Sequence, residues 1–203
     1  MAGFLAAAVM ITLSPGPDNL MILSLGISRG RRQGMVFGLG CALGCLSHTI
    51  LAALGVSAVI AASAWAFFGL KLCGGAYLVW LGVQAVRSSG GVSIGKDVAA
   101  RADGLWSLFT KGLVANAINP KVVLFFLAFL PQFVAPERGG VPWQTAQLGV
   151  LFTLQAVMVF GLIGYFSGWV GQVLNRSPKA GTWLDRFAGS IFILLGVKLM
   201  AAP

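Results

Sequence analysis

The chain has 203 residues, 58% of them hydrophobic and only 9% charged. A soluble domain carries about 25% charged residues to face water, so an ordinary soluble globular protein is excluded, and a mean hydropathy of +0.89 points to lipid as the solvent. The formal charge of +9 is spread thinly between apolar blocks, which argues for membrane topology and against a nucleic-acid partner.

A helical crossing takes about 20 apolar residues. Six apolar blocks follow in order, over residues 3–27, 35–62, 66–86, 108–134, 147–173 and 183–202. No Lys or Arg precedes the first block and Pro15-Gly16-Pro17 interrupts it, so it reads as a retained span, not a cleaved signal. Lipid cannot satisfy backbone groups, and no block alternates like a barrel strand, so the blocks are helices. The fold class is therefore an all-α membrane protein of about six transmembrane helices, with the lipid bilayer as its partner.

The bases set the orientation. Arg29, Arg31 and Arg32 lie in the first connection; Arg87, Lys96, Arg101 and Lys111 in or beside the third; Arg176, Lys179 and Arg186 in or beside the fifth. Only Arg138 lies in the fourth, the second has none, and Lys71, Lys121 and Lys198 fall inside spans. Cytoplasmic loops carry the Lys/Arg excess, which places the odd connections in the cytoplasm and both termini outside.

A polar linker over residues about 88–106 divides the single transporter domain into repeat 1 (about 1–88) and repeat 2 (about 107–203). Three spans is an odd number, so the second repeat enters the membrane inverted, an arrangement common in secondary transporters. Each half also carries proline about a dozen residues into its first span, near mid-depth at ~1.5 Å per residue. The first break is Ser14-Pro15-Gly16-Pro17-Asp18-Asn19 and the second Asn116-Ala117-Ile118-Asn119-Pro120-Lys121. Proline lacks an N–H and clashes with the preceding turn, freeing carbonyls that survive in a membrane only inside protein or beside water. A broken helix also offers a positive N-terminal dipole end, suited to a substrate carboxylate. The paired breaks read as a substrate site built from Pro15, Gly16, Pro17, Asp18, Asn19, Asn116, Asn119, Pro120 and Lys121; simple proline kinks are the alternative. Asp18 is the one acid near the middle of a span, so it and Lys121 read as facing a shared cavity with Asp18 as the proton-coupling group, against a static ion pair that moves no proton.

These residues resemble the LysE/RhtB family of amino-acid exporters, in its RhtB-like branch, over essentially the whole chain. The likeness rests on Ser14-Pro15-Gly16-Pro17-Asp18, on the spaced glycines Gly26, Gly30, Gly34 and Gly38, and on Lys71-Leu72-Cys73-Gly74-Gly75-Ala76-Tyr77-Leu78 with Gly82. It extends through Asn119-Pro120-Lys121, Phe125-Phe126-Leu127 and Leu130-Pro131-Gln132-Phe133. The resemblance implies a secondary active exporter of amino acids or their derivatives across the bacterial inner membrane, driven by an ion gradient. Family substrates include basic amino acids, threonine, homoserine and its lactone, leucine and cysteine-pathway metabolites, and these motifs do not separate them. Charges of both signs in the cavity suit a zwitterion.

Other groups have competing readings. Cys41, Cys45 and His48 share one face of the second span, and thiol plus imidazole suits soft or borderline cations. A cadmium-type efflux carrier is thus the alternative function, against plain packing. Lys71 either snorkels or lines an exit path. Gln155 and Asn116 suit hydrogen bonding between helices, and Trp143, Trp169 and Trp183 suit interfacial anchoring. The repeats Gly34, Gly38, Ala42 and Gly40, Gly44 give the second span small-residue faces that fit contact within a monomer or a homodimer. With one His and one intramembrane acid, no nucleophile has a base, so an enzyme is not expected. No cofactor motif and no P-loop is present.

Overall fold

The computed structural model describes residues 1–14, 16–62, 64–87, 103–176 and 178–201. Pro15, Lys96, Arg101 and linker residues 88–102 lie outside them. Eight α-helices run through the described residues: α1 (Ala2–Leu13), α2 (Pro17–Ser28), α3 (Arg31–Ala62), α4 (Ala64–Arg87), α5 (Leu105–Ala117), α6 (Pro120–Leu124), α7 (Val141–Arg176) and α8 (Pro178–Ala201). A π-helical turn, Phe125–Phe129, and a 3-10 turn, Leu130–Phe133, continue α6.

Two helices are long and apolar enough to cross a membrane, over Arg31–Gly55 and Val141–Gln172. The number rises to four if each bent pair is one span: Ala2–Leu13 with Pro17–Ser28, bent 55°, and Leu105–Ala117 with Pro120–Phe133, bent 48°. Helices α4 and α8 have 24 residues each, with Lys71 and Arg87 in α4 and Lys179, Asp185, Arg186 and Lys198 in α8, and they stand outside that count.

Large apolar side chains cover the outside as well as filling the core, and a set of polar groups is buried among them. Ile50, Leu51, Leu54, Leu154, Met158 and Leu194 are exposed, while Asp18, Asn19, His48, Lys71, Asn116, Asn119, Lys121 and Gln155 are buried. Trp143, Trp169 and Trp183 are exposed as well. An apolar exterior around a polar centre suits lipid.

Glycine lets these helices approach closely where no separate hydrophobic force drives them together. A Cβ on Gly34 would lie 2.8 Å from the Ile22 carbonyl oxygen of α2, and one on Gly38 would lie 3.2 Å from Phe160 of α7. The other stripe of α3 serves α5: Gly40 lies against the Phe109 carbonyl, and a Cβ on Gly44 would be 2.8 Å from that of Leu113. Both small-residue faces of α3 are thus used within one chain. Gly34 meets Gly164 and Thr49 meets Gly149, so α3 and α7 run antiparallel; Gly40 and Gly44 meet Phe109 and Leu113, so α3 and α5 run parallel. Helices α4 and α8 cross antiparallel on glycines seven apart. Gly75 meets the Gly196 carbonyl and Gly82 that of Gly189, each contact being reciprocal.

One ionic cluster ties α2 to the start of α5. Asp103 receives a 2.6 Å bond from Lys111 Nζ and stands 3.5 Å from Arg29. The Lys111 hydrogen bond, with help from Ser107 and the Arg29 charge, holds the Asp103 carboxyl below the usual carboxylate range. A pKa lowered on folding means the contribution is present above the ordinary carboxylate pKa and is lost as pH falls through the lowered one. Asp103→Asn should therefore flatten the acid limb of a stability–pH curve.

The glycine crossings yield a second test. Gly82→Leu should overpack the α4–α8 crossing and destabilise by about 1–3 kcal/mol, read as a lower thermal midpoint in detergent. Gly161→Ala, with nothing within 4 Å of the added Cβ inside α7, should not lower the midpoint and should raise it slightly, since Ala favours a helix interior over Gly.

Candidate functional site

Both breaks follow from local chemistry. At the first, α1 stops at Leu13 and α2 restarts with Pro17 in its first turn, behind an extended Gly16. Proline fits a first turn because its missing N–H would have no helical partner there. The carbonyls freed at the end of α1 are gathered by Asn19, whose Nδ2 donates to Thr12 O at 2.9 Å, Leu13 O at 3.2 Å and Ser14 O at 2.8 Å. At the second break, Asn119 caps α6 by accepting the Lys121 N–H through Oδ1 at 3.0 Å, with Pro120 in the first turn.

The two breaks meet. Lys121 Nζ donates to Ile11 O at 3.2 Å, Ser14 O at 3.1 Å and Ser14 Oγ at 3.3 Å, at the C-terminal end of α1. A cation at a helix C-terminus is stabilised by the dipole and by the free carbonyls. Gly16 makes room for it, since a Cβ there would lie 2.9 Å from Lys121 Nζ. In return Asp18, in the first turn of α2, accepts through Oδ2 from Asn116 Nδ2 at 2.7 Å, at the end of α5. Each charge follows a proline, sits just after its own break, and is held by the helix that ends at the other break.

Asn116 is the hub. Its Oδ1 accepts from the Cys45 thiol at 3.4 Å, and its backbone carbonyl lies 3.0 Å from His48 Nε2. A carbonyl only accepts, so Nε2 carries the proton. The Cys41–Cys45–His48 face thus packs on α5 at Asn116, and the described residues contain no group of three His, Cys, Asp or Glu placed to hold a metal. Nothing among the described residues supports the metal-efflux alternative.

Ile11, Thr12, Asp18, Cys45, Asn116 and Lys121 line a common cavity, closed by Val122, Phe125, Phe152 and Phe160. It has room for roughly one water molecule. Asp18 and Lys121 both face it, and no ion pair joins them directly. The static pair weighed from the sequence is replaced by two separate sets of hydrogen bonds. Asp18 Oδ1, Asn19 Oδ1, Asn119 Nδ2 and Gln155 Oε1 are buried without a hydrogen-bond partner.

Of the residues proposed from the sequence, Asp18, Asn116 and Lys121 reach the cavity; Gly16 seats Lys121; Asn19, Asn119, Pro17 and Pro120 shape the breaks; Pro15 is not among the described residues. Lys71 is buried within α4 and is not among the residues that line this cavity. Sequence reasoning missed Thr12, whose hydroxyl receives Gln155 Nε2 at 2.9 Å. A lone glutamine in an apolar span was the signal that such a partner exists.

The profile described as LysE type translocator matches residues 9–202. The chain belongs to the LysE type translocator family. Among curated relatives of this family member, a Vibrio cholerae serotype O1 protein described as an uncharacterized membrane protein is 32% identical, covering 98% of this chain and 95% of the relative. A homoserine/homoserine lactone efflux protein of Salmonella typhimurium is 29% identical, over 98% and 95%. A threonine efflux protein of Escherichia coli is 28% identical, over 95% and 93%. No solved structure matches. Family and relatives indicate a membrane transporter of small molecules rather than an enzyme.

Asn116→Ala should leave both Asp18 oxygens without partners and cost about 1–3 kcal/mol or more, measured by thermal unfolding in detergent. Val114→Ala, on the exposed side of α5, should stay within about 0.5 kcal/mol.

Proposed function

We propose that this chain is a secondary active exporter of amino acids or amino-acid derivatives in the bacterial inner membrane. Two inverted repeats of three spans enclose the Asp18–Asn116–Lys121 site, and Asp18 carries the coupling proton. The observation that carries the reading is the reciprocal seating of Asp18 and Lys121, one charge from each half at the break of the other.

The packing supports the repeat. Exchanging the first three spans with the last three leaves the α3–α7 and α4–α8 contacts in place and turns the α3–α5 contact into that of α1 and α2 with α7. The antiparallel and parallel crossings agree with six alternating passes, to which α4 and α8 supply the third and sixth. The Arg29–Asp103 pair joins the first and third connections, which supports placing both on the same, cytoplasmic side. Both termini then lie in the periplasm.

The cavity is too small for an amino acid, so this conformation is closed and transport requires it to open. Alternating access about a fixed mid-membrane site is how inverted repeats work. A buried carboxylate that meets cargo in one state and protons in the other couples the two fluxes by linkage. The relatives' names make threonine and homoserine the first cargoes to test.

Overexpression should raise one or more amino acids in the medium, with threonine and homoserine measured first, and an uncoupler should abolish the excess. In proteoliposomes loaded with that amino acid, Asp18→Asn should lose the stimulation by a pH gradient. Undiminished proton-driven efflux in this variant would remove Asp18 from coupling, and an unchanged medium would contradict export.

A further inference from the structure

The electrostatic state of the site points to one end of the cargo over the other. Lys121 brings a buried cation, but an ammonium has three N–H donors and three acceptors already face it: Ile11 O, Ser14 O and Ser14 Oγ. The two half-helix N-termini, the other seats for a carboxylate, are also served by the chain. Asn119 Oδ1 takes the α6 amide, and Asp18 places its own negative charge in the first turn of α2.

The unmet need has the opposite sign. Asp18 is 3% exposed and lines the cavity, with Oδ2 bound to Asn116 and Oδ1 unpartnered. Beside it, Thr12 Oγ1 donates to Ala8 O and accepts from Gln155, which leaves a second lone pair. An ammonium entering here would pair with Asp18 and find a further acceptor. A carboxylate would meet a like charge in a confined apolar enclosure formed by Phe125, Phe152 and Phe160.

We infer that the Asp18 pocket is an ammonium subsite and that recognition does not require a free carboxylate. Small α-amino acids and their amides and esters share the site, whereas N-acylated amino acids are rejected. This rests on the exporter reading only in taking the cargo to bind at Asp18, and it narrows the zwitterion suggested by the sequence to its amino end.

The test is thermal unfolding of the purified protein in detergent with L-threonine, L-threoninamide or N-acetyl-L-threonine. The first two should raise the midpoint by several degrees at saturation, and the third should leave it unchanged. Asp18→Asn, checked for helical content by circular dichroism, should lose the amide response. If that variant does not fold, the wild-type series still decides. Stabilisation by N-acetyl-L-threonine, or no response to the amide, overturns the inference. Exit of labelled L-threonine from proteoliposomes made from the same preparation separates the two readings. Exit without amide stabilisation leaves an exporter and removes the ammonium subsite; amide stabilisation without threonine exit keeps the subsite and counts against export.

Discussion

A helix broken inside a membrane exposes carbonyls and N–H groups that lipid cannot satisfy, and here each break is closed by its own asparagine and by a side chain from the other half of the chain. Lys121 reaches from the second break to the carbonyl end of α1, while Asn116, at the end of α5, reaches Asp18 just past the first. A charge placed at the centre of a span costs at least ~2.5–3.5 kcal/mol on insertion scales, and each of these two residues is partnered by a group from another helix. The remaining architecture follows from holding these two breaks together. Glycine-lined contacts bring α3 against α5, α7 and α2, and the α4–α8 pair crosses on its own glycines.

The same arrangement gives the site a way to change state. Phenylalanines close the cavity, and Phe125 and Phe126 of the π-helical turn each lie 5.0 Å from Phe152 between ring centres. A π-turn inserted in a helix is a common feature of functional sites. In the transport cycle proposed above, opening separates these rings while Asp18 and Lys121 stay partnered, by chain atoms in one state and by cargo or water in another. The Arg29–Asp103–Lys111 cluster lies at one end of the same helices, where exposure and solvent screening keep its contribution small.

The breaks were legible in the sequence because proline acts locally. Pro17 and Pro120 each begin a helix, and the bends fall where the missing N–H requires. The charges were legible too, since Asp18 and Lys121 stand out in apolar blocks. Their partners were not. Asn116 and Asp18 are 98 residues apart, and nothing local to either shows that they meet. Asp18 and Lys121 line one cavity without pairing directly, because the freed carbonyls of α1 are nearer acceptors for the Lys121 ammonium. The shared face of Cys41, Cys45 and His48 was readable from helical spacing, but its object, the amide and carbonyl of Asn116, belongs to tertiary packing. Asn19 gave no sign that it would turn back on its own chain to gather three carbonyls.

The central claim is that the two broken helices meet at mid-depth, and a cross-link tests it most directly. Asp18→Cys and Asn116→Cys would be combined, with Cys41, Cys45 and Cys73 changed to Ser, and treated in native membranes with a short bifunctional thiol reagent. The account predicts an intramolecular cross-link in the double variant, with none in either single variant. Two thiols that each react with a monofunctional reagent yet never become joined would contradict it.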